Sequence, residues 1–218
     1  MSAVGSPSDV REMRIGAAPQ LSAIIGIPDK ARGIVIFAHG SGSGRLSPRN
    51  NYVAARLRAV GLATLLLDLL TPAEEADRRN VFDIALLASR LRMATEWAAG
   101  HVETAGLHPC YFGASTGAGA ALVAATFAGP EISAIVSRGG RPDLAGSSLP
   151  LVRAPTLLLV GSLDGPVIGL NRQAFAALTA PKELVIVEGA GHLFEEPGTL
   201  DQVITHASRW FATWFAKA

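Results

Sequence analysis

Pro109-Cys-Tyr-Phe-Gly113-Ala-Ser115-Thr-Gly117-Ala-Gly119 reads as a short buried strand that stops at glycine, presents one serine and turns straight into a helix of small residues. Gly113-Ala-Ser115-Thr-Gly117 matches G-x-S-x-G, the pattern of a nucleophile elbow. In that motif a strained strand-to-helix turn lifts a serine hydroxyl above the carboxyl end of a sheet. Its glycines have a mechanical reason, because they let helix and strand approach where a β-carbon would clash. In a chain with 23 glycines the five residues carry little weight alone. Their rank depends on what surrounds them.

Upstream, residues 33–38 (Gly-Ile-Val-Ile-Phe-Ala) form a continuous β-branched run, the mark of a strand buried on both faces. The run discharges into His39-Gly40-Ser41-Gly42-Ser43-Gly44, a flexible loop, and helical spacing over 48–60 ends at Gly61. Further strands are expected at 10–15, 21–27, 62–67, 107–113, 132–137, 156–161 and 183–187. Helices are expected at 81–99, 116–127, 167–178 and 201–215. Residues 71–80 read as a polar, solvated connection. From residue 33 onward strand and helix alternate. That rhythm predicts an α/β fold: a doubly wound, mostly parallel sheet of about eight strands, whose first two strands form an antiparallel edge. Residues 1–9 read as a loose terminus and 10–218 as one domain, with no insertion long enough for a lid.

The chain has 218 residues, 49% hydrophobic and 17% charged, which suits one substantial core. Lys+Arg number 19 against 18 Asp+Glu, so the basic surplus of a nucleic-acid binder is missing. No signal peptide is legible, and no apolar run approaches the roughly 20 residues that span a bilayer. A single cysteine, Cys110, excludes an intrachain disulfide framework and fits a reducing compartment. The expectation is a cytoplasmic protein with no membrane or nucleic-acid partner.

In open parallel sheets ligands sit at the carboxyl ends of the strands. Ser115 follows the fifth predicted strand. Asp164 follows the seventh, in Gly161-Ser-Leu-Asp164, and His192 follows the eighth, in Gly191-His-Leu-Phe194. Nucleophile, acid and base thus come in the order Ser, Asp, His that this elbow expects. A serine hydroxyl is a poor nucleophile at neutral pH. A histidine must take its proton, and a carboxylate must fix the histidine's tautomer and stabilise the imidazolium. Each residue also has a plainer reading: Ser115 as a helix N-cap, Asp164 as a turn residue, His192 as a loop histidine. Glu195 and Glu196 could stand in as orienting acids, though neither holds the usual position after a strand.

Phe37-Ala-His-Gly40, Gly113-Ala-Ser-Thr-Gly117, Val160-Gly-Ser-Leu-Asp164 and Gly191-His-Leu-Phe194 together resemble the α/β-hydrolase superfamily, in its small, lidless branch similar to dienelactone hydrolases. The resemblance spans nearly the whole chain. It implies an α/β-hydrolase fold and a hydrolase of small ester or thioester substrates that works through an acyl-enzyme with no cofactor. One departure matters. Dienelactone hydrolases proper use cysteine as nucleophile, and here Ser115 stands in that place, which weakens transfer of the dienelactone substrate but not of the chemistry. Acyl transfer, perhydrolysis and carbon–carbon bond hydrolysis are alternatives on the same triad, and a non-catalytic binding protein is the alternative from another class.

The oxyanion hole is expected from two backbone N–H groups, that of Thr116 and one from the glycine loop, Ser41 first and Gly42 next. His39 reads as a prop for that loop. The remaining histidines lack ligand spacing, so no metal is expected, and Cys110 reads as a small core residue. Arg45, Arg49, Arg138, Arg141 and Arg172 fall in segments that follow strands or open helices. Of these, Arg45, Arg138 and Arg172 are the candidate substrate contacts, favouring a substrate with an anionic group; a solvated rim of ion pairs is the other reading. The apolar stripe of the C-terminal helix either completes the core or contributes to a homodimer.

Overall fold

A computed structural model describes residues 9–215 of the chain. Eight strands, β1 (Asp9–Ile15), β2 (Leu21–Ile27), β3 (Gly33–Ala38), β4 (Ala63–Leu67), β5 (His108–Ala114), β6 (Ala134–Arg138), β7 (Thr156–Gly161) and β8 (Lys182–Val187), form one sheet in the order β1-β2-β4-β3-β5-β6-β7-β8. β2 pairs antiparallel with both β1 and β4, and all the other pairs are parallel. The helices are α1 (Pro48–Ala59), α2 (Pro72–Glu75), α3 (Arg78–Val81), α4 (Ile84–Gly100), α5 (Thr116–Ala124), α6 (Gly165–Ala177) and α7 (Thr199–Phe215), with a 3₁₀ segment at Pro142–Leu151. This is the expected doubly wound α/β architecture, without a lid domain among the described residues. Of the N-terminal segment, residues 1–8 lie outside the described residues, and Asp9 opens β1.

Two apolar layers hold the sheet. Because strand side chains alternate between faces, Ile34 and Ile36 join one layer with Tyr111, Leu87 and Leu91 of α4, and Leu122 of α5. Val35 and Phe37 join the other with Phe112, Val53 and Leu57 of α1, and Val203 and Phe211 of α7. Strands β3, β4, β6 and β7 are buried along their whole length, which explains their mostly apolar sequences; β6 alone ends in a buried charge, Arg138. Each large side chain buried this way contributes about 1.5–3 kcal/mol. The Tyr111 hydroxyl, deep in the first layer, is satisfied by Thr95 Oγ1 at 2.7 Å. The stripe of α7 is used here: Val203, Ala207, Phe211 and Phe215 are buried in the second layer.

Two departures from the sequence reading have local causes. Residues 71–80 contain two single-turn helices rather than plain coil. The first is set by a capping box, in which the Thr71 side chain accepts from the Glu74 N–H and the Glu74 carboxylate from the Thr71 N–H; the second starts at Asp77, which accepts from the Arg79 N–H. Neither buries a residue, so neither leaves a periodic apolar trace. The 3₁₀ segment buries Pro142, Ala145 and Leu149, but the prolines at 142 and 150 and the kink at Gly146 interrupt the pattern that would mark a helix.

A very close backbone crossing lies under α5. A β-carbon on Gly117 would fall 2.1 Å from the Ala38 carbonyl oxygen and 2.5 Å from that of His39, and one on Gly113 would fall 2.5 Å from Ala118 Cα. Gly165, in the first turn of α6, faces open space. Gly117→Ala should therefore destabilise the fold by about 1–3 kcal/mol. Gly165→Ala should change stability by well under that in the same urea-unfolding measurement.

Candidate active site

The elbow forms where β5 ends. Ser115 sits between β5 and α5 with φ 49° and ψ −123°, a left-handed conformation that a non-glycine residue rarely adopts. Its side chain makes no capping hydrogen bond to α5, and its carbonyl accepts from the Ala118 and Arg141 N–H groups at 3.1 and 3.0 Å. The plainer N-cap reading of Ser115 is thus absent from the geometry, and the hydroxyl is free to face the cavity above the sheet.

Asp164 and His192 arrive on the loops after β7 and β8, which are laced together. The Ser162 N–H donates to the Val187 carbonyl, the Leu163 N–H to that of Ala190, and the Gly189 N–H to Ser162 Oγ, each at 2.9 Å. Gly161 permits this, since a β-carbon there would fall 2.1 Å from the Ala190 carbonyl oxygen. Across the laced loops His192 Nδ1 lies 2.7 Å from Asp164 Oδ2. The carboxylate is nearly covered and the imidazole open, with side-chain exposures of 12% and 40%. Asp164 opens α6 but makes no side-chain cap, leaving its carboxylate to the histidine.

Ser115, His192 and the Gly40–Gly44 loop line one cavity of about 470 Å³ at the carboxyl ends of the strands. A larger groove, about 920 Å³, lies at the opposite end of the sheet between residues 125–132 and 150–154. It holds none of the candidate residues, and the strand-end rule favours the smaller cavity. Ser41 and Gly42 are the central residues of a turn closed by the Ser43 N–H to the Gly40 carbonyl at 3.2 Å. Gly42 at φ 70° is the residue such a turn requires. Thr116 is the first residue of α5, where a backbone N–H has no intrahelical partner.

His39 braces this loop. Its Nε2 accepts from the Leu69 N–H at 3.0 Å, which leaves the proton on Nδ1 to donate to the Gly40 carbonyl at 2.9 Å. Burial holds its pKa below the usual imidazole value, against the opposing pull of the Gly40 carbonyl and of Asp68 and Glu75. Both ring nitrogens are thus occupied by backbone.

The candidate arginines part company. Arg138, at the end of β6, lines the cavity, as does Arg49 at the start of α1. Arg45 is held by Asp68, which accepts from its guanidinium at 2.5 Å and from its backbone N–H at 2.7 Å; it anchors the glycine loop and does not line the cavity. Arg141 is paired with Asp143. Arg172 is exposed on α6, away from the cavity lining. Two carboxylates hold the site's loops in ways the sequence reading did not give: Asp68 was not singled out, and Glu196, named there as a possible orienting acid for His192, binds backbone instead. Asp68 directly follows β4, so the strand-end rule applied there would have found it. Glu196 accepts backbone N–H groups of the His192 loop, Gly191 foremost, which hold its pKa below the usual carboxylate value; no local pattern marks that role. Glu195 pairs with Arg49. Among the described residues no group of three or more His, Cys, Asp or Glu is placed to hold a metal ion, and no helix is long and apolar enough to cross a membrane.

Cys110 lies inside β5 with no exposed surface, and burial pushes its thiol pKa far above the usual value. A disulfide thiol reagent should leave the native chain unmodified at neutral pH and react stoichiometrically in denaturant; rapid modification of native protein would contradict this placement.

No family model matches the chain. The crystal structure of a dienelactone hydrolase from Anabaena variabilis superposes with a TM-score of 0.93 at 52% identity, covering 96% of this chain and 99% of that one. Est1E from Butyrivibrio proteoclasticus superposes at 0.76 with 14% identity, over 94% of this chain and 99% of that one, a likeness of fold alone. A Mycobacterium tuberculosis protein named "Putative phosphoribosyl transferase Rv0571c" is 56% identical over 211 residues, covering 96% of this chain and 48% of the relative. The chain thus spans about half the length of that curated relative.

Proposed function

The chain belongs to the α/β-hydrolase superfamily, in its dienelactone hydrolase-like branch, and on that premise we propose that it is a serine hydrolase of small ester or thioester substrates. The observation that carries the proposal is the 2.7 Å contact of His192 Nδ1 with Asp164, beside a strained serine that lines the same cavity as His192. With Nδ1–H donating to Asp164, Nε2 of the neutral imidazole is the free base. It takes the Ser115 proton as Oγ adds to the substrate carbonyl. Negative charge develops on the carbonyl oxygen, and the Thr116 and Ser41 N–H groups, with Gly42 as the alternative to Ser41, stabilise it. In comparable sites each such donor is worth about 10²–10³ in rate. His192 returns the proton to the leaving alcohol or thiol, and the acyl group stays on Ser115.

Deacylation repeats the sequence with water as nucleophile. The 40% exposure of the His192 side chain favours this over transfer to another acceptor, because solvent reaches the base directly. No step calls for a cofactor, and the setting we propose is cytoplasmic. The transferase name of the mycobacterial relative describes a protein about twice as long. We assign that activity to no residue of this chain.

The test combines labelling with kinetics on a panel of short acyl esters. A fluorophosphonate should label wild-type protein at Ser115 and leave Ser115→Ala unlabelled. Ser115→Ala and His192→Ala should each lose about 10³-fold or more in kcat, and Asp164→Asn about 10⁴-fold, since the amide favours the wrong imidazole tautomer. A folded wild-type protein that neither labels nor turns over any ester would favour the non-catalytic reading.

A further inference from the structure

One wall of the cavity beside Ser115 is cationic, and the acyl-transfer steps make no use of it. Arg138 is only 7% exposed, yet no carboxylate pairs with it among the described residues. Its Nη1 donates to the Leu193 carbonyl at 3.4 Å and its Nη2 to Asn50 Oδ1 at 3.5 Å, both long and both to neutral acceptors. Its guanidinium carbon lies 6.0 Å from the Phe194 ring centroid, and its Nε is buried with no partner at all. Burial, reinforced by Arg49, lowers its pKa to about 10, which still leaves it charged at neutral pH. A side chain serving only to brace α1 against the His192 loop would be better apolar, because an unpaired buried charge is strongly destabilising.

Arg49 lines the same cavity from the first turn of α1. Its outer guanidinium nitrogen is held by Glu195, but its Nε too is buried without a partner. α1 is a 12-residue helix with Ser47 as N-cap, Pro48 in its first turn and no acidic residue there, so its positive end is uncompensated. The Ser41 and Ser43 residues of the glycine loop close the third side. Cationic and hydroxyl donors therefore converge from β6, α1 and the loop.

We propose that this wall is a phosphoryl-binding subsite, so that the substrate is an ester or thioester carrying a phosphate monoester, with the scissile carbonyl at Ser115. A carboxylate is planar, carries one charge and is met by the edge of a single guanidinium. A phosphate monoester carries about −1.5 to −2 at neutral pH and has oxygens on three sides. Two guanidiniums, of which only Arg49 is partly neutralised by Glu195, a helix N-terminus and loop hydroxyls fit the second geometry better.

The placement of the carbonyl rests on the hydrolase reading; the anion site does not. Two measurements on the full chain separate them. In calorimetric titration with inorganic phosphate, wild type should bind, and Arg138→Met and Arg49→Gln should each weaken binding about tenfold or more, with Arg138→Lys intermediate. In kinetics on three esters sharing one scissile bond and ending in methyl, carboxylate or phosphate, kcat/KM should favour phosphate at least tenfold over both others, and the two charge-removing variants should erase most of that preference. Should Arg138→Met fail to fold, Arg49→Gln at the more exposed edge carries the same prediction. Ester turnover without phosphate binding or preference would overturn the subsite and leave the hydrolase standing. Phosphate binding lost with Arg138, in a protein that hydrolyses no ester, would leave the subsite standing and sink the hydrolase. Carboxylate preferred to phosphate would overturn the phosphoryl assignment.

Discussion

The rest of the site depends on one close crossing, where the first turn of α5 passes over the end of β3 without a β-carbon between them. Gly117 meets the Ala38 and His39 carbonyls at a distance that only glycine tolerates. That proximity brings together the two halves of the expected oxyanion hole, the Thr116 N–H at the helix start and the loop that leaves β3. It also forces Ser115 into its left-handed conformation, since the chain must reverse from strand to helix within one residue. Strain of that kind, of order 1–3 kcal/mol, persists only where the surroundings over-determine it. Here Gly40 also lies against Ser115, where a β-carbon would come within 2.8 Å of Ser115 Cβ, and Ala118 and Arg141 hold the Ser115 carbonyl.

The opposite side of the cavity is built on the same device of close backbone contact. Gly161 lets the loop after β7 meet the loop after β8. Gly139, at φ 50°, lets the His192 backbone cross the end of β6, because a β-carbon there would come within 2.7 Å of the His192 carbonyl oxygen. Glu196 then ties the His192 loop through its backbone N–H groups, and Asp68 ties the glycine loop through Arg45. Loops carry the reactive groups, yet each is fixed to a strand end by hydrogen bonds to backbone. This matches what a preorganised site needs, since donors already in place require no rearrangement as charge develops.

Much of this was legible in the chain because the signals are local. Unbroken runs such as Gly33–Ala38 mark strands buried on both faces, and the positions just after strands pick out Ser115, Asp164 and His192 without any contact being known. The arginines were not legible in the same way. Arg45 and Arg138 both follow or end strands, and only the fold reveals that Asp68, 23 residues away in sequence, takes the first while no carboxylate among the described residues pairs with the second. Charge pairing across a fold leaves no local pattern. The one-turn helices between β4 and α4 were missed because hydrogen bonds within a few residues make them and they bury nothing, and the 3₁₀ segment because its prolines and the Gly146 kink break up its few buried positions.

Relatives of this chain carry different names on one scaffold, and one of them is twice as long. What the aligned half does therefore has to be settled on its own residues. The central claim is that Ser115, and not the buried Cys110 that lies five residues upstream, forms a covalent bond to the acyl group. Mass spectrometry of the chain quenched in acid during turnover of a slowly deacylating ester tests it most directly. The account predicts one acyl mass added to the peptide that contains Ser115, decaying as ester is exhausted and absent from Ser115→Ala. Turnover with no covalent adduct, or an adduct that persists on Cys110 in Ser115→Ala, would contradict it.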